Sequence, residues 1–285
     1  MGSNGSSSGL ATGTRYRPVP APLAARHTGP YVTDRDSISY VELYCLVEMP
    51  SRGGVAVRSS IVMAEMPPVL AAGVGARHGW GWVLRAASFR TGAPLSGRTV
   101  TGIAAPHPAA AGAVVDLLSG ATAPAYGELR VLGEDLTTPA GRAAVRQRIG
   151  VARRSTGLQR AFRLRGAVEH AARLAGLAAA DREMLTAGIL DRLALTPWAR
   201  VPLRAAPPAV ERRARLAAAA VHEPDLLLLD RLLDDLRPRD AADVAAAVRD
   251  LGRDTAIITT GAEPDLLWLA CDEVLTLADG VIVPN

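Results

Sequence analysis

His222-Glu223-Pro224-Asp225-Leu226-Leu227-Leu228-Leu229-Asp230 is the stretch that decides the fold of this chain. Four consecutive leucines, entered from a Pro-acid turn and closed by a carboxylate, read as a short strand buried on both faces. Upstream, residues 209–222 read as an Ala-rich amphipathic helix that Pro224 ends. Downstream, 240–251 reads as a helix, 255–260 and 273–277 as strands, and Asp279 with Gly280 as a hairpin turn before a last strand at 281–283. Working further back, 128–132 and 149–152 are strand candidates, while 165–177 and 181–195 are helices with apolar faces. A buried strand at 100–105 precedes a helix at 109–118. From residue 69 onward the pattern is short apolar strands alternating with amphipathic helices, which predicts an α/β fold whose largely parallel sheet is covered on both faces.

Composition sets the outer limits. The 285 residues are 49% hydrophobic, enough for a sizeable core. No apolar run approaches the length of a membrane span, and no basic region followed by an apolar stretch opens the chain, so direct membrane insertion is not expected and a cytoplasmic location is. There is no lysine; all 32 basic residues are arginine, and Asn occurs only at positions 4 and 285. From Met63 onward 26 arginines face 24 acidic residues, with no basic stripe of the kind that binds nucleic acid. Cys45 and Cys271 stand far apart without a metal-binding spacing and read as reduced thiols, Cys271 in the core. Residues 1–62, with a Gly/Ser tract and Pro18, Pro20 and Pro22, are expected to be a disordered or mis-assigned N-terminal segment, apart from one strand-like stretch at 37–47. Residues 63–285 are expected to form the domain.

Several segments, taken in order, carry a resemblance. After the strand, tight loop and helix ending in Leu117-Leu118-Ser119-Gly120 come Gly127-Glu128-Leu129-Arg130-Val131-Leu132-Gly133, then 222–230, then Cys271-Asp272-Glu273-Val274-Leu275-Thr276-Leu277-Ala278-Asp279-Gly280. Over about 69–283 the chain resembles the ATP-binding subunits of ABC transporters. That resemblance implies a P-loop NTPase-like sheet with an antiparallel edge, a helical lobe at about 156–203, and a site for ATP and magnesium.

The residues matching the site depart from the family's pattern. A phosphate loop needs convergent backbone N–H groups, a lysine and a hydroxyl. The matching segment here is Ala105-Pro106-His107-Pro108-Ala109-Ala110-Ala111-Gly112-Ala113, with Ala111 in the place of the lysine and Gly112 and Ala113 in place of the hydroxyls. His107 is able to reach a phosphate but reads first as an exposed loop residue. Asp230 matches the aspartate that helps position magnesium, and is the one metal-site candidate. Arg231 follows it where the family carries a glutamate base, which a guanidinium cannot replace; pairing with Asp230, Asp234 or Asp235 is expected. The signature segment is matched by Ala206-Pro207-Pro208-Ala209-Val210, Arg154 falls near the Q-loop glutamine, Arg237 replaces the D-loop aspartate, and Gly261 stands at the switch histidine. Trp80 or Trp82 is placed to stack on adenine, although packing beneath Val83 and Leu84 is the preferred reading. Gly73, Gly75, Gly79 and Gly81 are expected to serve turns.

These departures imply a non-hydrolysing pseudo-ATPase, scaffold or regulator, partnered by a membrane permease or a paralogous ATP-binding subunit, and needing no cofactor. Two alternatives stand beside it. One is an atypical ATPase in which His107, Arg153 and Arg154 replace the lysine, with ATP and Mg as cofactors; the other is a decayed gene product.

Overall fold

The computed structural model describes residues 67–79, 81–92, 99–154 and 162–284, all within one compact unit. The expectations for 1–62, and Trp80 among the site residues, lie outside the described residues.

The described residues form two sheets. The larger has six strands in the order β10-β9-β3-β8-β7-β6: β3 (Val100–Ala104), β6 (Ile149–Arg153), β7 (Leu226–Asp230), β8 (Ala256–Gly261) and β9 (Glu273–Ala278) run parallel, and β10 (Val281–Pro284) is an antiparallel edge. The smaller is antiparallel, in the order β2-β1-β4-β5, from β1 (Val69–His78), β2 (Gly81–Thr91), β4 (Tyr126–Val131) and β5 (Glu134–Asp135). The helices are α1 (Pro108–Leu118), α2 (Pro139–Arg146), α3 (Leu164–Leu174), α4 (Ala179–Arg192), α5 (Pro208–Ala220), α6 (Pro238–Gly252) and the short α7 (Pro264–Leu267).

The four leucines explain why two cores exist. Side chains alternate across a strand, so Leu227 and Leu229 enter one cluster with Val168, Leu216, Val244 and Ile257, while Leu226 and Leu228 enter another with Ile103, Val114, Leu129 and Ile258. All four are fully buried, each gaining about 1.5–3 kcal/mol from loss of water contact. The first cluster lies under α3, α4, α5 and α6; the second joins α1 to the antiparallel sheet. Between 162 and 203 the described residues form α3, α4 and short helical turns after them.

The expected alternation of strands and helices does not begin at residue 69. β1 and β2 are long antiparallel partners with register shifts between Ala71 and Arg77. Only Gly79 of the four glycines sits in the turn between them. Gly73, with φ of 58°, and Gly75 lie inside β1, where a Cβ on Gly75 would collide with the Tyr126 ring. Their role is a bulge and a close approach, not a turn. The turn at Asp279 and Gly280 has positive φ at both residues, 50° and 84°, as a two-residue hairpin requires. Cys271 is in the core; burial, with Asp272 and Glu273 beside it, pushes its thiol up to about 12.

Candidate functional site

Parallel pairing lines up the C-terminal ends of four strands. The register sets Ala104 beside Gly261, Thr260 beside Asp230, and Asp230 beside Arg153. In open α/β sheets this rim is where ligands bind, so the residues following β3, β8, β7 and β6 define the candidate site.

The β3–α1 connection is short. Only Ala105, Pro106 and His107 separate the strand from a helix that already begins at Pro108. Proline at the first helical position is preorganised for the helix and has no N–H to offer. The amides of Ala110 and Ala111 both donate to the His107 carbonyl, at 3.0 and 3.1 Å, and Ala105 N–H donates to Gly261 O at 2.7 Å. Helical geometry therefore takes up amides that a phosphate nest would leave convergent. His107 is exposed and makes no side-chain capping bond. Ala111 is fully buried in the second core cluster. Gly112, one residue on, faces the rim: a Cβ there would lie 3.9 Å from Asp230 Oδ2.

Asp230 does not pair with Arg231. Its partner is Arg153, whose guanidinium donates to Asp230 Oδ2 at 3.2 Å and, through its other terminal nitrogen, to Asp116 of α1. Burial pushes the Asp230 carboxyl above the usual carboxylate range, with Arg153 opposing that shift. Asp116 is a site residue that the motif reading missed. Its signal was present: it stands four residues after Gly112, hence on the same helix face.

Arg231 turns away. It holds a positive φ of 53°, donates its backbone N–H to Thr260 O at 3.1 Å, and pairs through Nε with Asp234, which is 3% exposed. Asp234 also accepts from Ala262 N–H at 3.2 Å. Gly261 is enclosed by this arrangement, since a Cβ would meet Leu267 Cδ2 at 2.9 Å and Asp234 Oδ1 at 3.3 Å. No histidine fits there without displacing both.

At the start of α5, Pro207 is the N-cap and Pro208 the first helical residue, so neither offers an N–H; Glu211 N–H donates to Pro207 O at 2.9 Å. The same helix reaches the rim from the other side. Arg212 donates to Arg154 O at 2.6 Å, Arg215 to Arg153 O at 3.4 Å and to Glu211 at 2.9 Å, and Arg154 pairs with Asp235. Burial, then the charges of Arg154 and Arg215, holds the Arg212 guanidinium below its usual range. Arg237 caps α6 without a side-chain bond.

Trp82, part-buried on β2, has an aromatic and a cationic neighbour. Arg77 lies 4.1 Å over its ring, and the Tyr126 ring is 5.4 Å away at 57°. That is a cation–π contact beside a tilted aromatic pair on the antiparallel sheet.

The residues present do not match a magnesium nucleotide. Among the described residues no group of three or more His, Cys, Asp and Glu is arranged to hold a metal ion. The carboxylates of Asp230 and Asp116 are both paired with Arg153, no hydroxyl stands at Gly112, and no cationic chain extends from the core position Ala111.

No protein-family model matches this chain. Over 164 residues it is 33% identical to the daunorubicin resistance ATP-binding protein DrrA3 of Streptomyces coeruleorubidus, covering 57% of this chain and 51% of that protein. Over 171 residues it is 29% identical to the methionine import ATP-binding protein MetN of Nocardia farcinica, covering 59% and 51%. It is 28% identical over 181 residues to the Nod factor export ATP-binding protein I of Ralstonia nicotianae, covering 63% and 56%. The chain thus spans about half the length of these curated relatives. Among solved structures, cbiO1 of Clostridium perfringens, part of the ABC transporter complex cbiONQ, superposes with a TM-score of 0.67 at 17% identity over 77% of this chain and 88% of that one. The ATP-binding cassette MJ0796, a dimer bound to ADP and Pi, gives 0.61 at 14% over 75% and 96%. At these identities the structures speak to the fold alone, which is that of ABC ATPase domains. No helix among the described residues is long and apolar enough to cross a membrane.

Proposed function

We propose that this chain, a relative of the ATP-binding subunits of ABC transporters, is a non-hydrolysing member that works as a scaffold or regulator, docked on a membrane permease or a paralogous ATP-binding subunit at the cytoplasmic face of the membrane. The observation that carries the reading is the β3–α1 connection. Three loop residues, two prolines and a helix that spends its early amides on His107 O leave no cradle for phosphate oxygens. With Ala111 in the core, no cationic side chain is supplied from that turn. Charge stabilisation and a general base each contribute orders of magnitude to phosphoryl transfer, and neither has a residue here.

An atypical ATPase would need His107, Arg153 or Arg154 to serve phosphate; His107 is exposed beside the loop, while Asp116, Asp230 and Asp235 already hold the two arginines. A decayed product would be expected to carry unmatched losses. Gly261 fitted against Leu267 and Asp234, and Arg153 fitted between two carboxylates, favour a maintained structure. Calorimetric titration with Mg-ATP and a phosphate-release assay are the test. The expected result is no binding at micromolar concentrations and no turnover above background. Binding and turnover that disappear in Asp230→Ala would overturn the reading in favour of the atypical ATPase. Recovery of a permease or paralogous subunit with the chain at its native level is the expected result for a scaffold; isolation as a free monomer argues against it.

A further inference from the structure

Resting on the non-hydrolysing reading above, we propose that Arg153 is the site's own built-in cation: its guanidinium, held between Asp116 and Asp230, takes the carboxylate charge that the resemblance would give to magnesium. Three elements meet at this one side chain. Arg153 ends β6, Asp230 ends β7, and Asp116 projects from α1. A fourth element, α5, is tied in, because Arg215 donates to the Arg153 carbonyl at 3.4 Å.

A planar guanidinium suits the role. It has five donors in a fixed fork, stays charged at any physiological pH, and is carried by the chain, so it does not dilute into solvent as a free ion does. Asp230 needs such a partner, because only 16% of its side chain is exposed. A carboxylate left there without a cation would be strongly unfavourable. Other charges near the rim are paired as well. Arg153 is matched by Asp116 and Asp230, Arg154 by Asp235, Arg231 by Asp234, and Arg215 by Glu211. These pairs tie the ends of β6 and β7 to α1 and to the loop after β7.

The test compares thermal unfolding of the unmodified chain, Arg153→Met and Arg153→Met/Asp230→Asn, each in metal-free buffer and with Mn2+ alone. The unmodified chain is expected to show no Mn2+ response. Arg153→Met is expected to lose thermal stability in metal-free buffer and to gain about 3–6 °C in Tm at Mn2+ tenfold above its dissociation constant, because the bared carboxylates accept the ion. The double variant is expected to regain stability and lose the Mn2+ response, since removing both members of a buried pair costs less than removing one. If Arg153→Met is recovered only unfolded, refolding that depends on Mn2+ is the supporting result, and failure of Mn2+ to restore the fold overturns the proposal. An Asp230-dependent Mn2+ response in the unmodified chain, or an Arg153→Met variant as stable as it and indifferent to Mn2+, also overturns it. These outcomes leave the non-hydrolysing reading standing, whereas binding of Mg-ATP to the unmodified chain overturns that reading separately.

Discussion

His222 opens the segment that decides the fold, and its environment gives a pH signature. Burial holds its imidazole below the ordinary value near 6.5, with a backbone hydrogen bond at Ile149 opposing the shift. The folded chain therefore keeps His222 neutral where the unfolded chain protonates it. As pH falls through 6.5 the unfolded state gains the proton first, so stability decreases toward acid and increases toward neutral pH. The expected outcome is a drop in Tm between pH 7.5 and 5.5 that is smaller in His222→Gln; equal slopes in the two proteins would refute the assignment. At the same scale, residue identity alone told that Arg231 is no base and that Ala111 carries no charge. It did not tell which acid Arg231 would choose, because Asp230, Asp234 and Asp235 are all near in sequence. The positive φ at Arg231 and the Ala262 amide on Asp234 decide that choice.

Helix α1 is the element on which the site reading turns. Its two neighbouring positions Ala111 and Gly112 project differently: one lies wholly inside the apolar cluster, the other faces Asp230 across the rim. Restoring the family's residues at each should therefore have opposite consequences. Ala111→Lys forces a long charged chain into packed core and is expected to cost about 3 kcal/mol or more in urea unfolding. Gly112→Ser fills open space in a helix interior and is expected to leave stability unchanged or improve it by about 0.5 kcal/mol. A stable Ala111→Lys variant would show that the helix start is free to rearrange. The sequence made the helix legible, from Pro108 and the alanines after it. Which of its faces is core was not legible, since alanine and glycine carry almost no hydrophobic pattern.

Across the whole molecule, α4 of the helical lobe is fastened to α6 by Arg192. Its guanidinium donates to Asp250 Oδ2 at 2.7 Å, to the Asp250 carbonyl at 2.8 Å and to Asp254 at 2.6 Å, and the Asp250 hydrogen bond pushes its pKa up. The side chain is about one-third exposed, so solvent screening limits the clamp to ~1 kcal/mol. Arg192→Ala is expected to raise amide exchange in α4 while leaving β7 protected, and the difference should narrow in high salt. Uniform loss of protection across both elements would mean that the lobe and sheet open as one unit.

By itself, the sequence determined the α/β class, the buried strand at 226–229, the hairpin at Asp279 and Gly280, and the absence of lysine from every site position, because each follows from local periodicity or residue chemistry. The roles of Gly73 and Gly75 were misread as turns, since glycines inside a bulged strand look like turn residues until Tyr126 is seen packed on Gly75. Tertiary structure alone decided that Arg153 would meet Asp116 and Asp230, residues 37 and 77 positions away. Charge pairing across such separations depends on strand order and helix rotation, and those are set by how two apolar faces of one sheet are filled, not by anything written beside the charged residues themselves.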